Sequence, residues 1–115
     1  MSLTCYNPSG ESSASVEDLL KDTTLVFATA PWCGPCKQVK PPLFAALQEQ
    51  GSEWFVLDVS PEDTAPRDDI ESLVGQLKIA ALPTLLVLQN GKEAGRVEGA
   101  NLQSMLQLVK QLAVR

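Results

Sequence analysis

Leu25-Val26-Phe27-Ala28 is a continuous apolar run of the kind a strand shows when both faces are buried, and it leads almost directly into Trp32-Cys33-Gly34-Pro35-Cys36. Beyond the second cysteine, Val39, Leu43, Phe44 and Leu47 recur at helical spacing. A buried strand, a tight junction and a helix are therefore expected in close succession, with the cysteine pair at the junction. Pro35 suits the first turn of such a helix, where its missing N–H has no intrahelical partner to lose. Pro41 falls inside the apolar pattern and predicts a kink.

A thiol is a nucleophile only as its thiolate, and a helix start offers unpaired N–H groups and the positive end of the helix dipole to that anion. Cys33 is expected at that place, with its pKa below the free value of about 8.5 and in the range of about 3.5 to 7.5 known for such sites. Lys37 adds to the same pull. Cys36 can then attack a mixed disulfide held on Cys33 and release the other thiol. The same spacing is also half of a four-ligand zinc site, but Cys5 is the one cysteine left over and the chain has no histidine. A CxxC beside a βαβ pattern carries the redox reading. The lack of histidine also removes Ser-His-Asp and Cys-His nucleophile pairs and the HExxH zinc helix.

The rest of the chain reads as further α/β elements. Leu3 to Tyr6 is a short first strand, followed by a Pro/Gly/Ser-rich loop to Ala14 and, from a capping box at Ser15-Val16-Glu17-Asp18, a short helix to about Asp22. Trp54 to Val59 reads as a strand, and Ile70, Leu73, Val74 and Leu77 mark a helix starting after Asp68 or Asp69. Thr84–Gln89 and Ala94–Glu98 flank Asn90-Gly91-Lys92, a hairpin signal. Asn101 caps a last helix with Leu102, Met105, Leu106, Val109 and Leu112 on its apolar face.

With 115 residues, 44% hydrophobic and 20% charged, the chain suffices for one domain, 1–115, with one core and no staples. A net charge of −5 disfavours nucleic acid, whose binding needs cations to neutralise phosphates. No apolar segment approaches the roughly 20 residues of a membrane span, and no basic-then-apolar leader is present, so a cytoplasmic protein is expected. Three cysteines do not make the disulfide framework of a secreted domain. Met1-Ser2-Leu3 has the character of an expression leader and receives no functional weight.

From Trp32 to the last helix the sequence resembles the thioredoxin family. Trp32-Cys33-Gly34-Pro35-Cys36-Lys37 matches its active site, Pro41 its kinked helix, Leu82-Pro83-Thr84 its cis-proline segment, Asn90-Gly91 its hairpin and Gly99-Ala100 its glycine loop. The resemblance implies a central mixed sheet flanked by helices on both faces. It implies a thiol–disulfide oxidoreductase that reduces protein disulfides, with Cys33 attacking and Cys36 resolving. It further implies no cofactor beyond the Cys33–Cys36 disulfide, thioredoxin reductase as electron donor and a monomeric state. Pro83 is implied to be cis, which only about 5% of X–Pro bonds are, and to lie against the cysteines. Leu82, Gly99 and Ala100 are implied to line the substrate groove, and Trp32, by its position beside the motif, reads as part of that groove rather than as a packing residue.

The sequence departs from the family at several positions. Phe27 and Val56 stand where thioredoxins carry a buried aspartate and a nearby lysine, and Thr29 replaces a second aromatic. Extra residues lie in Ser60 to Ile70, an acidic stretch with Glu62, Asp63, Asp68, Asp69 and Glu71 against Arg67. This stretch reads as a solvated loop and an acidic helix start on the cysteine side of the sheet, where it can select partners. A general reductase, a specialised reductase and a protein-binding module with incidental redox chemistry all remain compatible with these residues.

Overall fold

The computed structural model describes residues 2–59 and 68–113, without the side chains of Asp68, Leu112 and Ala113. Strands β1 (Ser2–Asn7), β2 (Gly10–Ser13), β3 (Thr23–Thr29), β4 (Trp54–Asp58), β5 (Thr84–Gln89) and β6 (Lys92–Glu98) form one sheet in the order β2-β1-β4-β3-β5-β6. β3 and β4 are parallel and every other pair is antiparallel. The sheet is therefore mixed, as expected. The helices are α1 (Gly34–Gln50), α2 (Asp68–Gln76) and α3 (Leu102–Ala113), with a 3-10 turn at Val16–Leu20.

Alternation along the strands divides the core in two. Leu25, Phe27, Trp54, Val56, Leu85 and Val87 project to the side covered by α1 and α3, where they meet Val39, Leu43, Leu47, Met105 and Val109. Val26, Phe55, Leu57, Leu86 and Leu88 project to the other side, against Leu19 and the α2 residues Ile70 and Leu73. Helices thus cover both faces. That is why the central strands read as unbroken apolar runs rather than as alternating ones.

Local chemistry sets the element ends. α1 runs through Pro41 and Pro42 as a single helix and stops at Gly51, whose left-handed φ of 74° lets its N–H reach the carbonyls of Gln48 and Leu47. Asn90 (φ 52°) and Gly91 (φ 84°) form the two-residue turn between β5 and β6. Asn101 caps α3 by accepting from the Ser104 N–H at 3.1 Å.

Two expectations for the N-terminal part need correction. The loop to Ala14 contains β2, which pairs with β1 across a turn where Asn7 Oδ1 accepts from the Ser9 N–H at 2.9 Å. The short helix to Asp22 is a 3-10 turn ending at Leu20; Asp18 accepts from the Ser15 N–H at 2.9 Å, which lowers its carboxyl pKa. Ser2 begins β1, and Leu3 is buried in the core. The stretch at 60–67 lies outside the described residues, as does the side chain of Leu112.

Candidate active site

The junction between β3 and α1 forms because the chain leaves a fully buried strand and must turn at once into a helix lying over it. Ala30 is buried, and its carbonyl accepts from the Cys33 N–H at 3.1 Å, closing the turn. Cys33 is the N-cap of α1, with extended backbone (φ −82°, ψ 100°). Its sulfur takes the place usually held by a capping oxygen, accepting from the Cys36 N–H at 3.2 Å. Gly34 and Pro35 occupy the first turn, where the proline costs no hydrogen bond.

Cys33 and Cys36 are joined as a disulfide, with their Cα atoms 5.3 Å apart. Cys33 is 7% exposed and Cys36 0%. Ala30, Val59 and Leu82 pack around the pair. Val59 is held there because its N–H donates to the Thr29 carbonyl at 3.0 Å, extending the contact between β3 and β4 by one residue. Sequence reasoning did not single out Ala30 or Val59, since an alanine and a valine beside a strand end carry no chemical signal of their own.

Leu82 reaches the pair from the segment before β5, and the Leu82–Pro83 peptide bond is cis. Thr84 donates through its hydroxyl to the Ala81 carbonyl at 2.6 Å, and the Gly99 N–H donates to the Pro83 carbonyl at 2.8 Å. Gly99 has a φ of 85°, a backbone position that favours glycine. Pro83 and Gly99 are thereby joined, with Ala100 exposed beside them, while Gly34, Pro35 and Lys37 are exposed around the cysteines. Trp32 is 65% exposed, a large apolar surface left uncovered next to Cys33.

Arg96 on β6 fixes the approach to this segment. Its guanidinium donates to the carbonyls of Leu77 and Lys78, the second at 3.1 Å, and to Glu93 Oε1 at 3.1 Å from Nε and 2.6 Å from Nη2. Lys78 is in the left-handed region (φ 53°), so Arg96 satisfies carbonyls that the end of α2 leaves without helical partners. Spacing alone does not reveal this role, which joins residues far apart in the chain.

Phe27 and Val56 are both buried, and Thr29 is buried at the end of β3. Cys5 is a separate free thiol on β1, opposite Phe55 of β4. Burial, and then the charge of Glu53, push its pKa up to about 11. Among the described residues no three His, Cys, Asp or Glu side chains are grouped to hold a metal, and no helix is long and apolar enough to cross a membrane.

The model of the thioredoxin family matches residues 11–112. Thioredoxin-1 of Saccharomyces cerevisiae is 34% identical over 99 residues, covering 84% of each chain. The thioredoxin of Echinococcus granulosus is 39% identical over 85 residues, 73% of this chain and 70% of the relative. Among solved structures, Trypanosoma brucei brucei thioredoxin superposes with a TM-score of 0.69 at 27% identity, covering 88% of both chains. Aeropyrum pernix thioredoxin shares the fold with a TM-score of 0.76 at 14% identity, covering 96% of this chain and 94% of its own. With its two cysteines bonded at the start of a helix, this chain belongs to the thioredoxin family and is a thiol–disulfide oxidoreductase.

Proposed function

We propose that the protein reduces disulfides of other proteins, with Cys33 as attacking thiolate and Cys36 as resolving thiol. The observation that carries this division of labour is the Cys36 N–H donating to the Cys33 sulfur at 3.2 Å at the start of α1, with Cys36 wholly buried. A negative charge on Cys33 is stabilised there by that N–H and by the helix dipole, whereas Cys36 has no exposed surface to offer an incoming disulfide.

In the first step the Cys33 thiolate attacks one target sulfur, the target disulfide breaks, and the departing sulfur takes a proton from water. Cys36, once deprotonated, attacks the Cys33 sulfur of the mixed disulfide; the bond to the target breaks and the second target sulfur leaves as a thiolate. Two electrons pass to the target and the Cys33–Cys36 disulfide is formed. Leu82, cis-Pro83 and Gly99-Ala100, with Trp32 and the exposed Gly34, Pro35 and Lys37, form the surface on which an extended target segment lies. The protein works as one domain, as a monomer in the cytoplasm, with thioredoxin reductase as electron donor and no redox group beyond its own disulfide.

The test is mixed-disulfide trapping combined with insulin reduction. Cys36→Ser is expected to hold target proteins on Cys33 as stable adducts, and Cys33→Ser to hold almost none. The wild type is expected to reduce insulin with dithiothreitol or with a thioredoxin reductase. Equal trapping by both variants contradicts the assigned roles. Undiminished partner capture by a variant lacking both cysteines points instead to a binding module.

A further inference from the structure

Three buried threonines lie in the described structure, and two of them have satisfied hydroxyls: Thr24 donates to the Leu19 carbonyl at 3.3 Å and Thr84 to the Ala81 carbonyl at 2.6 Å. Thr29 is the exception. It is 2% exposed, and its Oγ1 is buried without a hydrogen-bond partner. A buried hydroxyl left without a partner destabilises the fold, so its place there calls for a cause.

Thr29 ends β3, the strand that leads into the cysteine junction. Leu25 and Phe27 face α1, and strand alternation puts Thr29, two residues on, on the same side. Because β3 and β4 are parallel, α1 must run back over β3 to reach the start of β4. Its N-terminus therefore lies over the C-terminal end of β3. The inward residues of α1 are Cys36, Val39, Leu43 and Leu47, and Cys36 is the first of them. The order of the two elements brings Cys36 towards the end of β3, where Phe27 and Thr29 share the covered face.

We propose that the Thr29 hydroxyl receives the Cys36 thiolate, donating a hydrogen bond to it when the sulfur is released from Cys33. The inference rests on Cys36 being the resolving thiol. In the oxidised protein the sulfur is held in the disulfide and the hydroxyl is left over. On reduction, rotation about the Cys36 Cα–Cβ bond brings the sulfur to it, and the hydrogen bond is made in the charged state that attacks. An interaction absent from the disulfide and present with the thiolate favours the reacting form. No proton is transferred to the hydroxyl: the Cys36 proton goes to solvent, the thiolate attacks, and the target sulfur leaves.

Among the described residues, charged groups around this point do not supply the same service. β3 and β5 carry no ionisable side chain, and Phe27 and Val56 are apolar. Asp58 of β4 is the register partner of Thr29 and shares its face, and a carboxylate there opposes a second negative charge. Lys37 and Lys40 lie on α1, Glu98 of β6 is paired with Thr84, and Lys110 is on α3.

Reduced protein mixed in stopped flow with one equivalent of dithiobis-nitrobenzoate releases two chromophores, the first on Cys33 attack and the second on Cys36 resolution. Thr29→Val is expected to leave the first phase within about twofold and to slow the second about tenfold near neutral pH, the scale of one hydrogen bond to a charged group. The pH at which the second phase levels off should rise by about one unit. Thr29→Ser should restore both features. The oxidised Thr29→Val protein should melt no lower than wild type, because an unsatisfied hydroxyl has been removed. Equal second phases in wild type and Thr29→Val, failure of Thr29→Ser to restore the rate, or a profile that moves with Asp58→Asn but not with Thr29→Val each overturn the proposal. A second phase that survives Cys36→Ser overturns instead the assignment of Cys36 as resolving thiol.

Discussion

Phe27 and Val56 are Cα partners across the parallel β3–β4 pair, both buried, with the Phe44 ring of α1 set edge-on to Phe27 at 5.6 Å. Apolar side chains thus fill the part of the sheet where the family resemblance leads one to expect an aspartate and a lysine. With no buried acid at these two positions, the rate of resolution by Cys36, in its proposed role, should rise with pH beyond the titration of Cys33.

Phe27→Asp tests this. Resolution near neutral pH should rise about tenfold, because a carboxylate can then accept the Cys36 proton. Stability should fall by about 3–5 kcal/mol from loss of the ring, and further from burial of the carboxyl. Burial raises the pKa of the introduced carboxyl above its unfolded value of about 3.9, so the folded state binds the proton more tightly. Stability should be greatest below that pH and be lost as pH rises towards the folded pKa. Thermal melts across the acid range would read the sign, and melts that are flat with pH would contradict it.

Arg96→Met removes the donors to the Leu77 and Lys78 carbonyls while keeping an apolar stem. With the Arg96 side chain 17% exposed, a loss of about 1–3 kcal/mol is expected. Amide exchange should quicken in the segment from Leu77 to Leu82, and the KM for a protein disulfide should rise more than kcat falls. Arg96→Lys should recover little, since one ammonium cannot match a fork that reaches two carbonyls and a carboxylate. Unchanged exchange in that segment would show that Arg96 does not hold it.

Cys5 should stay silent while the active pair cycles. With its pKa at about 11 it is a neutral thiol at physiological pH and should resist alkylation until strongly basic conditions. The folded pKa lies above the usual value of 9.0, so its contribution to stability is complete below that value and is lost as pH rises towards 11. Mass mapping of the native protein after alkylation at pH 7 should leave Cys5 unmodified, and Cys5→Ser should keep full disulfide-reducing activity. Rapid labelling of Cys5 would contradict this.

The elements that were legible in the sequence are those with local chemistry. The strand before Trp32, the helix after Cys33, the Asn90-Gly91 turn and the Asn101 cap each carry their signal within a few residues. β2 was not legible because Gly-Glu-Ser-Ser is exposed along its whole length and offers no apolar alternation. The antiparallel pairing of β1 with β4 joins segments some fifty residues apart, and register of that kind has no local mark. In the site, the cysteines were readable from spacing, while cis-Pro83 came from family resemblance alone. Thr29 read merely as a missing aromatic, because whether a hydroxyl is satisfied depends on what the fold brings to it. Arg96 was invisible for the same reason.

The central claim is that the start of α1 makes Cys33 the reactive thiolate and keeps Cys36 in reserve. A brief pulse of limiting iodoacetamide on the reduced protein, at a series of pH values and followed by peptide mapping, measures both thiols at once. Cys33 should be labelled first throughout, with a midpoint below the ordinary thiol value of about 8.5, and Cys36 should lag at every pH. Faster labelling of Cys36, or a Cys33 midpoint at or above that value, would contradict the account.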